Sequence, residues 1–164
     1  MRNCFKPLVV FILLSIFSVS SIEASKLQAE EKNIALDFKL QDLNRDTFTL
    51  SSYKDKQPVI LFFWTTWCPF CRKELQALKE SYPQLAEEGW ELFAVNVGES
   101  SSEVDKAVKG YALNFKVLLD KDTAVADSYG ILGVPTYFFI DKKGYIVFND
   151  HYFPKGKYKE LISK

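Results

Sequence analysis

The hydrophobic positions along this chain fall into three kinds of run, and their spacing predicts the elements. Val59-Ile60-Leu61-Phe62-Phe63-Trp64 and Leu92-Phe93-Ala94-Val95-Asn96-Val97 are near-continuous apolar runs, the mark of strands covered on both faces and therefore central in a sheet. Phe38 and Leu40, then Phe48 and Leu50, alternate with polar neighbours on either side of Asp42-Leu43-Asn44-Arg45-Asp46, which predicts a β-hairpin. After Cys68 the period changes. Cys71, Leu75, Leu78, Tyr82 and Leu85 recur at helical spacing, with Arg72, Lys73, Lys79 and Glu80 elsewhere on the circumference, so Cys71 belongs to the core-facing stripe. Pro83 falls inside this pattern and is expected to kink the helix or end its first half.

Further along, Ser100-Ser101-Ser102-Glu103 has capping-box spacing ahead of a helix with Val104, Ala107, Val108 and Tyr111 on one side. Val117-Leu118-Leu119 predicts a short strand, and Thr123 to Tyr129 a short helix closed by Gly130. The strand Tyr137-Phe138-Phe139-Ile140 joins Tyr145-Ile146-Val147-Phe148 through the turn Asp141-Lys142-Lys143-Gly144, and Lys157 to Ser163 is expected to be a terminal helix. Alternating β and α units finished by an antiparallel hairpin predict an α/β fold: a central mixed sheet with helices on both faces and an N-terminal β-hairpin extension. Thioredoxin-like folds have this order.

The first residues change the picture of where the domain works. Arg2 and Lys6 form a basic start, and Leu8 to Val19 is apolar except for Ser15 and Ser18, which is the pattern of a signal-peptide core with Ala24 as the expected last leader residue. Ile22, three places before the cut, fits the small-residue pattern poorly, so an uncleaved anchor over residues 8–22 is the alternative, although it falls short of the roughly 20 residues of a comfortable span. Either way the folded part is expected outside the cytoplasm, in the periplasm or on the outer face of the membrane. Residues 25–35 read as a polar tether and residues 36–164 as a thioredoxin-like domain.

With 164 residues, 48% of them hydrophobic, the chain has room for one domain plus the leader. Formal net charge is zero, which leaves no positive field to hold a phosphate backbone and argues against nucleic acid as a partner. The aromatic residues are therefore assigned to the core or to a peptide-sized groove. Once residues 1–24 are removed, Cys68 and Cys71 are the only cysteines left. An exported domain without a structural disulfide framework uses such a pair for chemistry. Cys4 precedes the apolar run and receives no role.

Cys68-Pro69-Phe70-Cys71 stands where the apolar strand stops and the helix starts, a thioredoxin-like redox signal. With Cys68 at the N-cap and Pro69 at the first helical position, the amides of Phe70 and Cys71 are expected to point at the Cys68 sulfur and, with the helix dipole, favour its thiolate. Cys68 is thus the exposed attacking nucleophile. Cys71, one turn in and less accessible, suits the resolving role. A closed zinc site needs about four ligands, whereas the chain offers these two cysteines and His151, and a structural disulfide closing so small a loop stabilises little. No metal and no cofactor is expected, and His151 reads as a surface residue. Glu74, three residues after Cys71, lies at the edge of the buried stripe. Taken alone it reads as a solvated helix glutamate; partly buried, it is placed to pass protons as the disulfide opens and closes.

Trp67-Cys68-Pro69-Phe70-Cys71-Arg72-Lys73-Glu74, the preceding Phe62-Phe63-Trp64, and Gly133-Val134-Pro135-Thr136 followed by an apolar strand and Ile140-Asp141-Lys142-Lys143-Gly144 resemble the TlpA/ResA/DsbE-type thioredoxins over about residues 36–160. The resemblance implies a membrane-associated or secreted thiol–disulfide oxidoreductase, often one that reduces the cysteines of apocytochrome c. The leading expectation is a monomer that takes electrons from a membrane thiol donor and reduces protein disulfides. The resemblance also implies that Glu74 is an active-site residue, that Pro135 is cis and faces the cysteines, that Trp67 covers them, and that Val134 offers backbone hydrogen bonds to an extended substrate. Trp67, Pro69, Phe70, Val134 and Pro135 together form the expected substrate-binding surface. Two departures stand out. Phe62 replaces the buried aspartate that classical thioredoxins carry six residues before the first cysteine, and Pro-Phe replaces their Gly-Pro between the cysteines.

Three other functions fit parts of the pattern. A disulfide-forming oxidase uses the same fold and differs in redox potential. A peroxiredoxin-like thiol peroxidase shares Thr65-x-x-Cys68 and the N-terminal hairpin, but has proline seven residues before the reactive cysteine where this chain has Leu61. A redox-inert peptide-binding module would use the groove around Trp67 and Pro135 without needing either cysteine.

Overall fold

The structure, a computed structural model, describes residues 33–156 and 158–161. The expected leader, Cys4 and most of the tether lie outside the described residues. The chain separates into two units, Met1–Ile34 and Ala35–Lys164, and the second carries every element discussed below.

In that unit a seven-stranded sheet runs in the order β2-β1-β5-β4-β3-β6-β7, formed by β1 (Lys39–Asp42), β2 (Thr47–Thr49), β3 (Val59–Trp64), β4 (Glu91–Val97), β5 (Lys116–Asp120), β6 (Thr136–Ile140) and β7 (Ile146–Asp150). The apolar runs β3 and β4 pair in parallel at its centre, Val59 against Glu91 through Trp64 against Asn96. Two edges are antiparallel. β6 pairs with β3 and β7 with β6, while β1 pairs with β2 and also with β5, so the N-terminal hairpin widens the central sheet.

Alternation along the central strands divides the core in two. Ile60, Phe62, Trp64, Tyr137 and Phe139 face α1 (Pro69–Glu87) and α2 (Ser101–Val108). Leu61, Phe63, Phe138 and Ile140 face α3 (Ala124–Ser128) on the other side. Helix α1 buries Cys71, Leu75, Leu78 and Leu85, the stripe its periodicity predicts. At α2 the Ser100 hydroxyl accepts from the Glu103 amide and the Glu103 carboxylate accepts from the Ser100 amide, the reciprocal capping box. The first turn of α3 is held by Asp120, whose carboxylate accepts from the amides of Val125 and Ala126 at 3.2 and 2.8 Å.

One expectation is narrowed and one corrected. Of the two outcomes expected at Pro83, the end of the helix does not occur: α1 continues to Glu87. Proline removes the amide that the Lys79 carbonyl, four residues earlier, would have accepted, and the Asn114 side chain supplies a donor in its place at 3.2 Å. The expected terminal helix is a 3-10 turn over Tyr158–Leu161, with Lys157, Ile162 and Ser163 outside the described residues. Among the described residues no helix is long and apolar enough to cross a membrane.

Candidate active site

The site forms at the end of β3, where the chain leaves the sheet and turns into α1. Cys68 is the N-cap of that helix, Pro69 occupies its first position, and the Cys71 amide donates to Cys68 Sγ at 3.1 Å. Proline suits that position because its missing N–H has no partner to lose. Of the two amides expected at the sulfur, only that of Cys71 makes the bond among the described residues. Cys68 and Cys71 are joined as a disulfide. The expected contrast in exposure is small: Cys68 is 3% exposed and Cys71 fully buried. Cys68 is covered because its sulfur lies against the Val134 carbonyl, 3.7 Å away. Joined in the disulfide it has no hydrogen to donate, and only the free thiol can make this a hydrogen bond. What remains of the asymmetry is position, with Cys68 at the rim and Cys71 on the stripe packed into the core.

Around the pair the surface is apolar. Trp67 is 70% and Phe70 68% exposed, and Leu132, two residues before Val134, is fully exposed. Pro69 is also exposed, and the Val134–Pro135 peptide bond is cis. The structure thus brings Trp67, Pro69, Phe70, Val134 and Pro135 to one rim around Cys68.

Glu74 is half-buried, and the Tyr137 hydroxyl donates to its Oε2 at 2.6 Å. β6 alternation turns Tyr137 toward α1, and the β3–β6 register sets it opposite Phe62, with the two rings stacked at 4.8 Å. Burial, reinforced by the Glu74 carboxylate, raises the Tyr137 phenol well above the ordinary tyrosine range, so the residue stays a protonated donor. The position held by an aspartate in classical thioredoxins is therefore filled by an apolar ring, Phe62, against the tyrosine that orients Glu74. Sequence reasoning missed Tyr137. A tyrosine inside an apolar strand carries no local mark, and only the pairing of β3 with β6 points it at Glu74.

A second carboxylate was also missed. Glu99, in the loop between β4 and α2, accepts from the Thr66 amide and from Asn96 Nδ2 at 2.7 Å each, and from the Thr66 hydroxyl. On the other side of the loop Arg72 Nη1 donates to the Thr66 carbonyl at 3.3 Å. These bonds fix Thr66, and with it the backbone that presents Trp67 and Cys68. The available signal was topological: parallel strands gather functional loops at their C-terminal ends, and Glu99 follows β4.

A cysteine pair at the start of a helix that leaves the centre of such a sheet, faced by a proline loop, defines the thioredoxin class of thiol–disulfide oxidoreductases. The comparisons narrow this. The model of the AhpC/TSA family matches residues 32–149. The thiol-disulfide oxidoreductase ResA of Bacillus subtilis (strain 168) is 38% identical over 140 residues, covering 85% of this chain and 78% of that protein, and the ResA of Geobacillus thermodenitrificans is 40% identical over 110 residues, 67% of this chain and 63% of that protein. Among solved structures, StoA of Bacillus subtilis matches with a TM-score of 0.63 and 27% identity, covering 72% of this chain and 89% of that one. A secreted Mycobacterium tuberculosis disulfide oxidoreductase homologous to DsbE matches with a TM-score of 0.62 and 25% identity, covering 71% and 84%. The chain belongs to the AhpC/TSA family, within it to the ResA-type thiol–disulfide oxidoreductases, and its thioredoxin-like fold carries the pair Cys68–Cys71.

Proposed function

We propose that this protein is an exported disulfide reductase: it takes two electrons from a membrane thiol donor and passes them to disulfides in protein substrates, with apocytochrome c cysteines the leading candidates. The observation that carries the thiol–disulfide exchange is the placement of Cys68 at the helix N-cap with the Cys71 amide on its sulfur; the reducing direction rests on the resemblance to ResA-type proteins. A backbone donor and the positive end of the helix both stabilise a thiolate there. The resemblance of the motif to ResA-type proteins, together with the basic and apolar N-terminal pattern, supports the exported location and the choice of substrate.

The exchange balances as follows. The Cys68 thiolate attacks one sulfur of a substrate disulfide, forming a mixed disulfide and releasing the first substrate thiolate. Cys71, losing its proton toward Glu74, attacks Cys68 Sγ, forming the Cys68–Cys71 disulfide and releasing the second substrate thiolate, which takes up a proton. Two electrons have then moved to substrate, and the membrane donor restores the dithiol by the reverse exchange. Trp67, Phe70, Val134 and Pro135 hold the substrate segment against Cys68, with the Val134 backbone pairing as one more extended strand does at a sheet edge.

Equilibrium redox titration of the Cys68–Cys71 pair tests the direction. A reductase gives a potential toward the thioredoxin end of the known range, about −270 mV, whereas a value near about −120 mV replaces this reading with that of a disulfide-forming oxidase.

A further inference from the structure

Three successive carbonyls in the loop facing Cys68 have different fates. Gly133 O accepts the Thr136 hydroxyl at 2.7 Å, and Pro135 O lies 2.8 Å from His151 Nδ1. Val134 O, between them, lies against Cys68 Sγ. From these contacts we infer that His151, at the end of β7, is a positioning residue for substrate binding: with Thr136 it ties back the carbonyls on either side of Val134 and leaves the Val134 backbone turned toward the cysteine pair. This rests on the proposed role of the Val134 backbone in pairing with substrate.

The tautomer follows from hydrogen-bond arithmetic. Nδ1 also sits 3.1 Å from Thr136 Oγ1, but that hydroxyl has one hydrogen, and it is given to Gly133 O. Toward the ring it offers lone pairs only, and Pro135 O is an acceptor by nature. Both groups facing Nδ1 are acceptors, so Nδ1 carries the hydrogen. A neutral His151 is therefore the Nδ1–H tautomer with its lone pair on Nε2, although an imidazole free of such neighbours favours the opposite form. His151 is exposed, its amide is fixed by Asp150 Oδ1 at 2.6 Å, and it packs into neither core. Its ring nitrogen Nδ1 lies against Pro135 O and Thr136 Oγ1.

Two measurements on the intact protein test this. The chain contains a single histidine, so the ring nitrogens in a ¹⁵N NMR spectrum of the neutral form are assigned without ambiguity. A protonated Nδ1 is expected, and a protonated Nε2 overturns the proposal. In reduction of a disulfide-containing peptide, His151→Ala is expected to raise KM about five- to tenfold, the scale of one lost hydrogen bond, with kcat and the Cys68–Cys71 potential unchanged. His151→Asn, whose side-chain amide offers a donor near the Nδ1 position, recovers most of the loss. An unchanged KM in a folded His151→Ala protein, or a loss that asparagine does not recover, contradicts the proposal. If the wild-type protein reduces no peptide at all, the proposed function fails instead, and the tautomer measurement still decides the bond to Pro135.

Discussion

The Tyr137 hydroxyl donates to Glu74 Oε2 at 2.6 Å while the Tyr137 ring stacks on Phe62, so one residue links the centre of the sheet to the carboxylate one helical turn beyond Cys71. Removing the hydroxyl separates its two contributions. Tyr137→Phe retains the stack and loses one bond to a carboxylate, which is expected to lower the unfolding free energy by about 1–2 kcal/mol in a denaturant titration. If Glu74 passes protons for Cys71, Glu74→Gln slows resolution of a preformed Cys68 mixed disulfide by about a hundredfold or more. Stopped-flow measurement of the two steps is expected to leave the first attack by Cys68 within a few-fold of wild type.

Glu99 gives a second, independent prediction. Its three bonds all converge on Thr66 and Asn96, and Thr66 precedes Trp67 in the chain. Glu99→Ala releases the loop without touching the cysteines, and a displaced reactive group is costly even when the shift is small. We expect kcat/KM for a protein disulfide to fall by about tenfold while the small-molecule reactivity of Cys68 changes by less than threefold. Equal losses on both substrates would contradict a role in positioning.

Asp120 sets a pH dependence of stability. Its carboxyl is buried beneath the first turn of α3, and burial raises its pKa above the ordinary aspartate value even though the Val125 and Ala126 amides pull it down. The folded protein therefore holds this proton more tightly than the unfolded chain. As pH rises from the ordinary aspartate value through the raised one, the unfolded state releases its proton first and this group's contribution to stability falls, then levels off. Denaturant titrations across that window are expected to show a shallower decline for Asp120→Asn than for wild type. Asp120→Ala, which leaves both amides without an acceptor, is expected to cost about 1–3 kcal/mol at every pH.

The parts of this protein that were legible in its sequence are those in which cause and effect are neighbours along the chain. The Ser100–Glu103 capping box spans one helical turn, the apolar run of β3 reports its own burial, and the Cys68–Cys71 spacing at a strand-to-helix junction specifies both the motif and its helix register. Partners brought in by the fold were not legible. Tyr137 and Glu74 are 63 residues apart, Glu99 and Thr66 are 33 apart, and each pair depends on the register of the sheet. Pro83 follows the same logic. Its local rule predicts a kinked or ended helix; the helix continues, and a distant residue, Asn114, donates to the carbonyl that proline leaves open. His151 reads as a surface residue and is exposed; its contact with Pro135 depends on β7 lying beside β6.

The central claim is that Cys68 attacks and Cys71 resolves. Mixed-disulfide trapping tests it most directly, by expressing Cys71→Ser and Cys68→Ser forms in cells and resolving their covalent adducts under non-reducing conditions. The account predicts that Cys71→Ser accumulates protein partners joined through Cys68, released by a reducing agent, and that Cys68→Ser traps few or none. Adducts formed mainly through Cys71 in the Cys68→Ser protein, or no adducts in either form, would contradict it.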